Sequence, residues 1–261
     1  MSISLVAVDM DGTFLRPDMT YDRERFLRIR ERMRQSGIPF VVASGNQYWQ
    51  LTSFFQLRDD IAYVAENGHF VYQSGASAPL DKAAPRPGTG RKLIAALEEQ
   101  RVPYLLSTGD GALVPAWEGE DDREWWPLYY PRMRIVEDPY DSADQVIKAT
   151  ARTPDPHGFV ARTRERLGDD FVPVVSGPQD ADVNAPGRNK ARGLQILASA
   201  LGIDLSHAIA FGDSHNDLEM LQAVGTPVAM QGAAADVKDS AIRIAPPNSQ
   251  DGVLQVLDEV L

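Results

Sequence analysis

Ile3-Ser-Leu-Val-Ala-Val-Asp9-Met-Asp11-Gly-Thr13-Phe-Leu15 decides how the rest of the chain is read. Ile3 to Val8 are mostly apolar, the pattern of a strand covered on both faces. Two carboxylates, Asp9 and Asp11, follow where the chain must turn. Gly12 permits a backbone conformation that a side chain would resist, and Thr13 can hydrogen-bond locally. Acids at the C-terminal end of a buried parallel strand lie where open α/β sheets bind ligands. Crowded together in an apolar setting, they call for a cation or a proton between them. A strand followed by an Asx-type turn, with both acids solvated, is the simpler alternative.

Outward from that stretch, Arg16 to Thr20 is a turn-rich link that could form a small flap. Asp22 to Ser36 reads as a helix, with Phe26, Ile29, Arg30 and Met33 on its inner face and Gly37 as its stop. Ile38 to Ala43 is a second buried strand, ending in Ser44-Gly45-Asn46-Gln47. A hydroxyl with glycine-freed amides at a strand end can donate hydrogen bonds to a phosphate. A helix from about Tyr48 to Phe55 would add its N-terminal partial charge, although Ser44 or Asn46 could equally be a helix cap. Ile61 to Ala65 is a third strand, and Glu66-Asn67-Gly68 before His69-Phe-Val-Tyr72 signals a hairpin.

Composition changes at about Ser74, and Gly75 to Gly90 has the Gly, Ala and Pro content of a linker. Beyond it the spacing predicts a helix over Lys92–Gln100, apolar runs at Pro103–Ser107 and Ala112–Ala116, and an acidic, aromatic stretch from Glu118 to Trp126. A strand at Val146–Ala151, a helix at Gly158–Leu167 and a strand at Phe171–Ser176 complete an α+β insertion. Trp125, Trp126, Tyr129 and Tyr130 suit the core of that insertion better than a sugar-stacking surface. His157 reads as a surface loop residue.

The main domain resumes with Val183-Asn-Ala-Pro-Gly187-Arg-Asn-Lys190. Lys190 opens a helix that carries Leu194, Leu197, Ala198 and Leu201 on one face and stops at Gly202. A lysine there opposes the helix dipole, a conflict that a nearby anion would remove. Arg188 and Arg192 are alternatives for the same role. Then Ala208-Ile-Ala-Phe211-Gly212-Asp213-Ser-His215-Asn216-Asp217 runs from a short strand through Gly-Asp into a helix. Asp213 and Asp217 offer hard oxygens, which suit Mg²⁺ better than zinc. His215 fits an exposed turn.

Asp9-Met-Asp-Gly-Thr, Ser44, Lys190 and Gly-Asp-x-x-Asn-Asp, in that order, resemble the four motifs of the haloacid dehalogenase superfamily of phosphotransferases. Ser-Gly-Asn-Gln-Tyr-Trp-Gln-Leu, Val-Ala-Glu-Asn-Gly and the closing Asn248 to Val253 narrow the resemblance to Cof-type (type IIB cap) bacterial sugar-phosphate phosphatases. Two departures stand out: many relatives carry Ser-Gly-Arg where this chain has Asn46, and Ser214-His215 replaces a common Gly-Glu or Gly-Gly.

The resemblance implies a doubly wound, mostly parallel Rossmann-like α/β core over residues 1–83 and 183–261, with an α+β cap over 84–182. It implies Mg²⁺ held by Asp9, Asp213 and the Asp11 backbone carbonyl. Asp9 is then the nucleophile, Asp11 the general acid and base, and Lys190 the third catalytic residue. Ser44, Gly45, Asn46 and Asn216 would bind the phosphoryl group, with Thr13 and Asp217 in support. The expected activity is hydrolysis of small sugar phosphates through an aspartyl-phosphate. A phosphosugar mutase on the same core is one alternative, and a phospho-accepting regulator switched at Asp9 another.

The totals agree. The 261 residues, 43% hydrophobic and 24% charged, are those of a globular protein with a substantial core. A net charge of −11 disfavours nucleic acid. Zero cysteines exclude disulfides and thiolate metal sites. No signal peptide or membrane-length apolar run is apparent, so the expectation is a cytoplasmic enzyme with no membrane partner, a phosphorylated small-molecule substrate, and a monomeric or weakly dimeric state.

Overall fold

The computed structural model describes residues 3–116 and 122–261, without the side chains of 122–124. The acidic segment Glu118–Asp121 therefore lies outside the described residues. The chain divides into two compact units, 1–44 with 55–81 and 189–261, and 45–54 with 82–188. This division falls a few residues from the expected boundaries at 83 and 183, and it assigns Gly45–Phe54 to the second unit, which local sequence signals did not suggest.

In the first unit one sheet runs in the order Arg243–Ala245, Thr226–Met230, Ala208–Gly212, Leu5–Val8, Phe40–Ala43, Ala62–Ala65, Phe70–Tyr72. A last, two-residue strand, Asp81–Lys82, ends the sheet where the chain leaves the unit. Every pairing from Arg243–Ala245 to Ala62–Ala65 is parallel, and Ala62–Ala65 meets Phe70–Tyr72 antiparallel. Leu5–Val8 is central and fully buried because both of its faces are covered. The architecture is the doubly wound, mostly parallel α/β sheet that the apolar runs call for.

The helix after the first motif spans Arg23–Gln35, and the side chain of Asp22 caps it by accepting from the Arg25 amide. Arg30, on the inner face of that helix, is buried by pairing with Asp60 at 2.9 Å and donating to the carbonyls of Ile38 and Asp60. The Arg16–Thr20 link is tied down by the closing stretch. Arg16 pairs with Asp251, which also accepts from the Asp22 amide, and Asn248 donates to the Leu15 carbonyl at 2.7 Å.

The Asn-Gly signal marks a turn, but a longer one than a two-residue hairpin loop. Ala65 pairs with Phe70, leaving Glu66 to His69 between the strands. Glu66, Asn67 and Gly68 all have positive φ. Gly68 is required twice over, since a Cβ there would also lie 2.3 Å from the Asn189 carbonyl oxygen.

The second unit is a six-stranded sheet in the order Val172–Val175, Asp180–Asn184, Lys148–Arg152, Tyr104–Thr108, Gly111–Pro115, Met133–Val136. Two helices, Thr89–Gln100 and Pro156–Leu167, share a core with one of its faces. The residues facing them alternate along the strands, with Ala149, Ala151, Ala181 and Val183 turned toward the helices. Val183-Asn184 thus belongs to this sheet and does not return the chain to the main domain as expected; antiparallel pairing on both sides of Asp180–Asn184 holds it there. Trp126 and Tyr130 are buried with Leu105, Ala112 and Val114 on the opposite face, so these aromatics are core. His157 sits exposed in the first turn of the helix Pro156–Leu167, not in a loop. Among the described residues no helix is long and apolar enough to cross a membrane.

Candidate active site

Strand ends bring the acids of the first unit together. Leu5–Val8 delivers Asp9 and its parallel neighbour Ala208–Gly212 delivers Asp213, in register through Val8 and Phe211. After Asp9 the chain winds through a tight turn whose Gly12 has φ +77°. A Cβ on Gly12 would stand 2.5 Å from an Asp213 carboxylate oxygen, so glycine here lets the two acidic loops meet. Thr13 donates to Asp213 at 2.6 Å and fixes that carboxylate. Asp11 is half-buried in the same turn, with extended backbone angles.

Lys190 opens the helix Lys190–Leu201, which Asn189 caps by accepting from the Arg192 amide. The ammonium group is buried and donates to Asp9 at 2.6 Å and to Asp217 at 2.7 Å. Asp217 uses its other oxygen to accept from the amides of Asp213 and Ser214, at 3.0 and 3.1 Å. Both of its oxygens are therefore engaged in holding the lysine and the Asp213 loop. The conflict between Lys190 and its helix dipole is resolved by these two carboxylates.

Carboxylate oxygens of Asp9, Asp213 and Asp217 lie within 4.8 Å of one another. Three acids face one ammonium, so the fully ionised cluster carries two surplus negative charges in a buried place. Burial, opposed by Lys190 and aided by Asp217 and Asp213, raises the Asp9 carboxyl well above its usual range. Burial and Asp217 push Asp213 up to about 7, against the Thr13 hydrogen bond. Burial lowers the Lys190 ammonium, but Asp217 and Asp9 outweigh it and the net shift is upward. Hard oxygens, close spacing and surplus charge together fit a divalent cation such as Mg²⁺.

A pH dependence follows for the metal-free protein. A carboxyl whose folded pKa is raised binds its proton more tightly in the native state. Its contribution to stability is therefore lost as pH rises from the ordinary carboxylate range through the raised value. With a chelator present, thermal stability should fall between pH 5 and about 7.5, and Asp213→Asn should flatten that decline. A melting temperature that rises across this window in the wild type would contradict the burial of the cluster.

Ser44 follows the strand Phe40–Ala43. It is buried, its amide donates to the Val64 carbonyl, and its carbonyl accepts from the Asn67 amide at 2.9 Å. Asn216 donates to the Asn67 side chain at 3.2 Å. Asn67 thus joins the Ser44 and Asn216 loops of the first unit, a role invisible in a turn motif read only as a turn. Gly45 and Asn46 are half-buried and belong to the second unit. The next helix is only six residues, Tyr48–Ser53, with Gln47 at its cap position, so neither Ser44 nor Asn46 caps it. Among the alternatives to Lys190, Arg192 offers its amide to Asn189. His215 contacts Asp236 at 3.0 Å at the surface.

Residues 6–257 match the model of the haloacid dehalogenase-like hydrolase family, and the chain belongs to that family. It is 39% identical to the 5-amino-6-(5-phospho-D-ribitylamino)uracil phosphatase YbjI of Escherichia coli K12, an alignment covering 100% of this chain and 97% of the relative. The pyridoxal phosphate phosphatase YbhA of the same organism is 27% identical over 98% of each chain. The crystal structure of SMU.1108c from Streptococcus mutans UA159 superposes with a TM-score of 0.93 at 28% identity, covering 99% of this chain and 98% of that one. Within the family, this chain is a Cof-type phosphatase.

Proposed function

We propose that the protein hydrolyses small phosphomonoesters whose phosphate sits on a hydroxylated carbon chain, with Asp9 as the nucleophile and Mg²⁺ as the cofactor. The observation that carries this reading is the buried lysine shared by Asp9 and Asp217 beside Asp213. That arrangement holds one carboxylate oxygen in place while the site keeps a deficit of positive charge for a cation to fill.

Asp9, Asp213 and the Asp11 backbone carbonyl would hold Mg²⁺, which supplies the positive charge that lets an anionic nucleophile approach an anionic ester. Asp9 attacks phosphorus in line, and the bond from phosphorus to the ester oxygen breaks as the aspartyl-phosphate forms. Asp11 gives its proton to the departing alcohol and later takes one from the water that attacks phosphorus. Lys190, Ser44, Asn216 and the amides near Gly45 and Asn46 stabilise the phosphoryl oxygens. Asp217 orients Lys190.

Similarity to a ribitylaminouracil-phosphate phosphatase along the whole chain supports a polyol leaving group. Asn46, a neutral donor and acceptor, suits hydroxyls better than a second phosphate. The test compares kcat/KM for 5-amino-6-(5-phospho-D-ribitylamino)uracil, hexose and pentose phosphates, pyridoxal phosphate, a nucleotide and a phosphopeptide. The ribityl or sugar esters are expected to lead. A lead by the nucleotide or the phosphopeptide would reject the reading, and isomer interconversion without phosphate release would make the protein a mutase. Mg²⁺ should be required, and Ca²⁺ should inhibit because its looser coordination lets a carboxylate bind through both oxygens. Full activity in a chelator would overturn the cofactor assignment.

A further inference from the structure

The closing stretch Asn248-Ser-Gln-Asp251-Gly252, which the chemistry above does not use, folds back onto the segment that leaves the Asp11 turn. Both belong to the first unit. The stretch is bent so tightly that a Cβ on Gly252 would stand 1.9 Å from the Pro246 carbonyl oxygen, and only glycine fits there. Asp251, just before it, has φ +55°, a left-handed conformation that aspartate tolerates better than most residues. Its amide donates to the Asn248 carbonyl at 3.0 Å and closes a short turn. From that turn the side chains of Asn248 and Asp251 both reach the segment Leu15–Asp22.

Leu15 is the exit of the Asp11 turn. Its amide donates to the Met10 carbonyl at 2.9 Å and the Phe14 amide donates to the Asp9 carbonyl at 3.2 Å, wrapping the backbone around Asp11 and Gly12. The sheet fixes the entry, where the Asp9 amide donates to the Phe211 carbonyl at 3.0 Å. Near the exit the buried Phe14 ring packs against Tyr21, Phe26, Phe40 and Phe55, with centroids 5.0–5.9 Å apart. Apolar contact of this kind is non-directional and does not set the rotation of the next peptide. The Leu15 carbonyl supplies that direction by accepting from the Asn248 side chain at 2.7 Å. Asp251 acts further along, bridging Arg16 and the Asp22 amide across the base of the Arg16–Thr20 link.

We propose that Asn248 is a positioning residue for Asp11. By fixing the Leu15 peptide it holds the exit of the turn, and with it the Asp11 carboxyl, from 233 positions away in the sequence. The proposal rests on the reading of Asp11 as the acid that protonates the departing alcohol. In that step the phosphorus–oxygen bond breaks, its electron pair stays with the ester oxygen, and that oxygen takes the Asp11 proton. An alkoxide needs the proton, whereas p-nitrophenolate departs without it. A misplaced Asp11 therefore costs more with an alkyl ester than with an aryl ester.

The test compares kcat/KM for a pentose 5-phosphate and for p-nitrophenyl phosphate, since this constant covers the steps up to departure of the alcohol. Melting curves confirm that each variant is folded at the assay temperature. Asn248→Ala should lower the value for the pentose ester about five- to tenfold, the worth of one hydrogen bond, and that for the aryl ester by less than about twofold. Asn248→Asp, which keeps the shape without the donor, should show the same selectivity. Asp251→Asn leaves the Asn248–Leu15 bond in place and should keep both esters within about twofold.

Equal losses on the two esters in the Asn248 variants, or no loss on either, would overturn the role of Asn248 while Asp11→Asn itself remains selective. If Asp11→Asn lowers both esters equally, the assignment of Asp11 as the acid fails and the proposal falls with it. The same selective loss in Asp251→Asn would assign the effect to the closing stretch as a whole and reject the Asn248 bond as its cause.

Discussion

Asp9→Asn should abolish turnover, with kcat/KM falling by about four orders of magnitude or more, because an amide cannot attack phosphorus and leave as a carboxylate. The fold should survive. Burial disfavours the charge at Asp9, as its raised pKa records, so removing that charge relieves the cluster. In a chelator above pH 7 the variant should therefore melt no lower than the wild type. Lys190 keeps its second partner, Asp217, in this variant. Appreciable phosphate release by protein purified free of wild-type enzyme would defeat the assignment of the nucleophile. A collapse in stability would show instead that the Asp9–Lys190 pair is structural.

Lys190→Met should be damaging on both counts. It leaves Asp9 and Asp217 buried without their shared cation, and breaking a buried pair of this kind costs about 3–5 kcal/mol. Activity should fall about 10²–10³-fold, the usual loss when a preorganised charge is taken from a transition state. Urea denaturation and kcat/KM measure the two effects separately. Adding Asp217→Asn to Lys190→Met should recover much of the stability and none of the activity. Recovery of both would mean that Lys190 acts only by neutralising Asp217.

Asp9, Asp213 and Lys190 were legible in the sequence because each is announced locally. The two acids follow short apolar runs at a turn that includes glycine, and the lysine stands at a helix start where a cation is otherwise unwelcome. The doubly wound, mostly parallel α/β class was legible for the same reason, since fully apolar runs separated by helices point to a parallel sheet. Trp126 and Tyr130 were readable as core because large rings in an α+β segment need burial.

Lys148 and Asp182, a buried pair 3.0 Å apart, were not legible. Each sits on a strand whose alternate residues are apolar, so a polar residue at that spacing reads as solvent-facing. Its burial depends on what covers the second face of the sheet, in part Trp126 and Tyr130. Gln47 was missed for a different reason. Its partner is the backbone of Arg132, 85 positions away, and backbone groups carry no signature of their own. The Asn67–Asn216 bond spans 149 positions and leaves equally little local trace. The boundary placed at Val183 failed because a strand's allegiance is set by its ladder, which local apolar runs do not specify.

The central strand has a consequence for how the chain emerges from the ribosome. Leu5 to Val8 pair on one side with Phe40 to Val42, available early, and on the other with Ala208 to Phe211, which are made only in the last quarter of synthesis. Residues 82–188, by contrast, are one continuous segment that carries all six strands of its own sheet. The nascent protein must therefore hold an apolar strand with one edge open while an entire inserted unit is translated. Such open edges are where partly made chains associate wrongly. Lys190, Asp213 and Asp217 all lie in the last third of the chain, so no nascent chain shorter than 217 residues contains the whole acid cluster, and a chain released before Ala208 has neither a closed sheet nor a place for a cation.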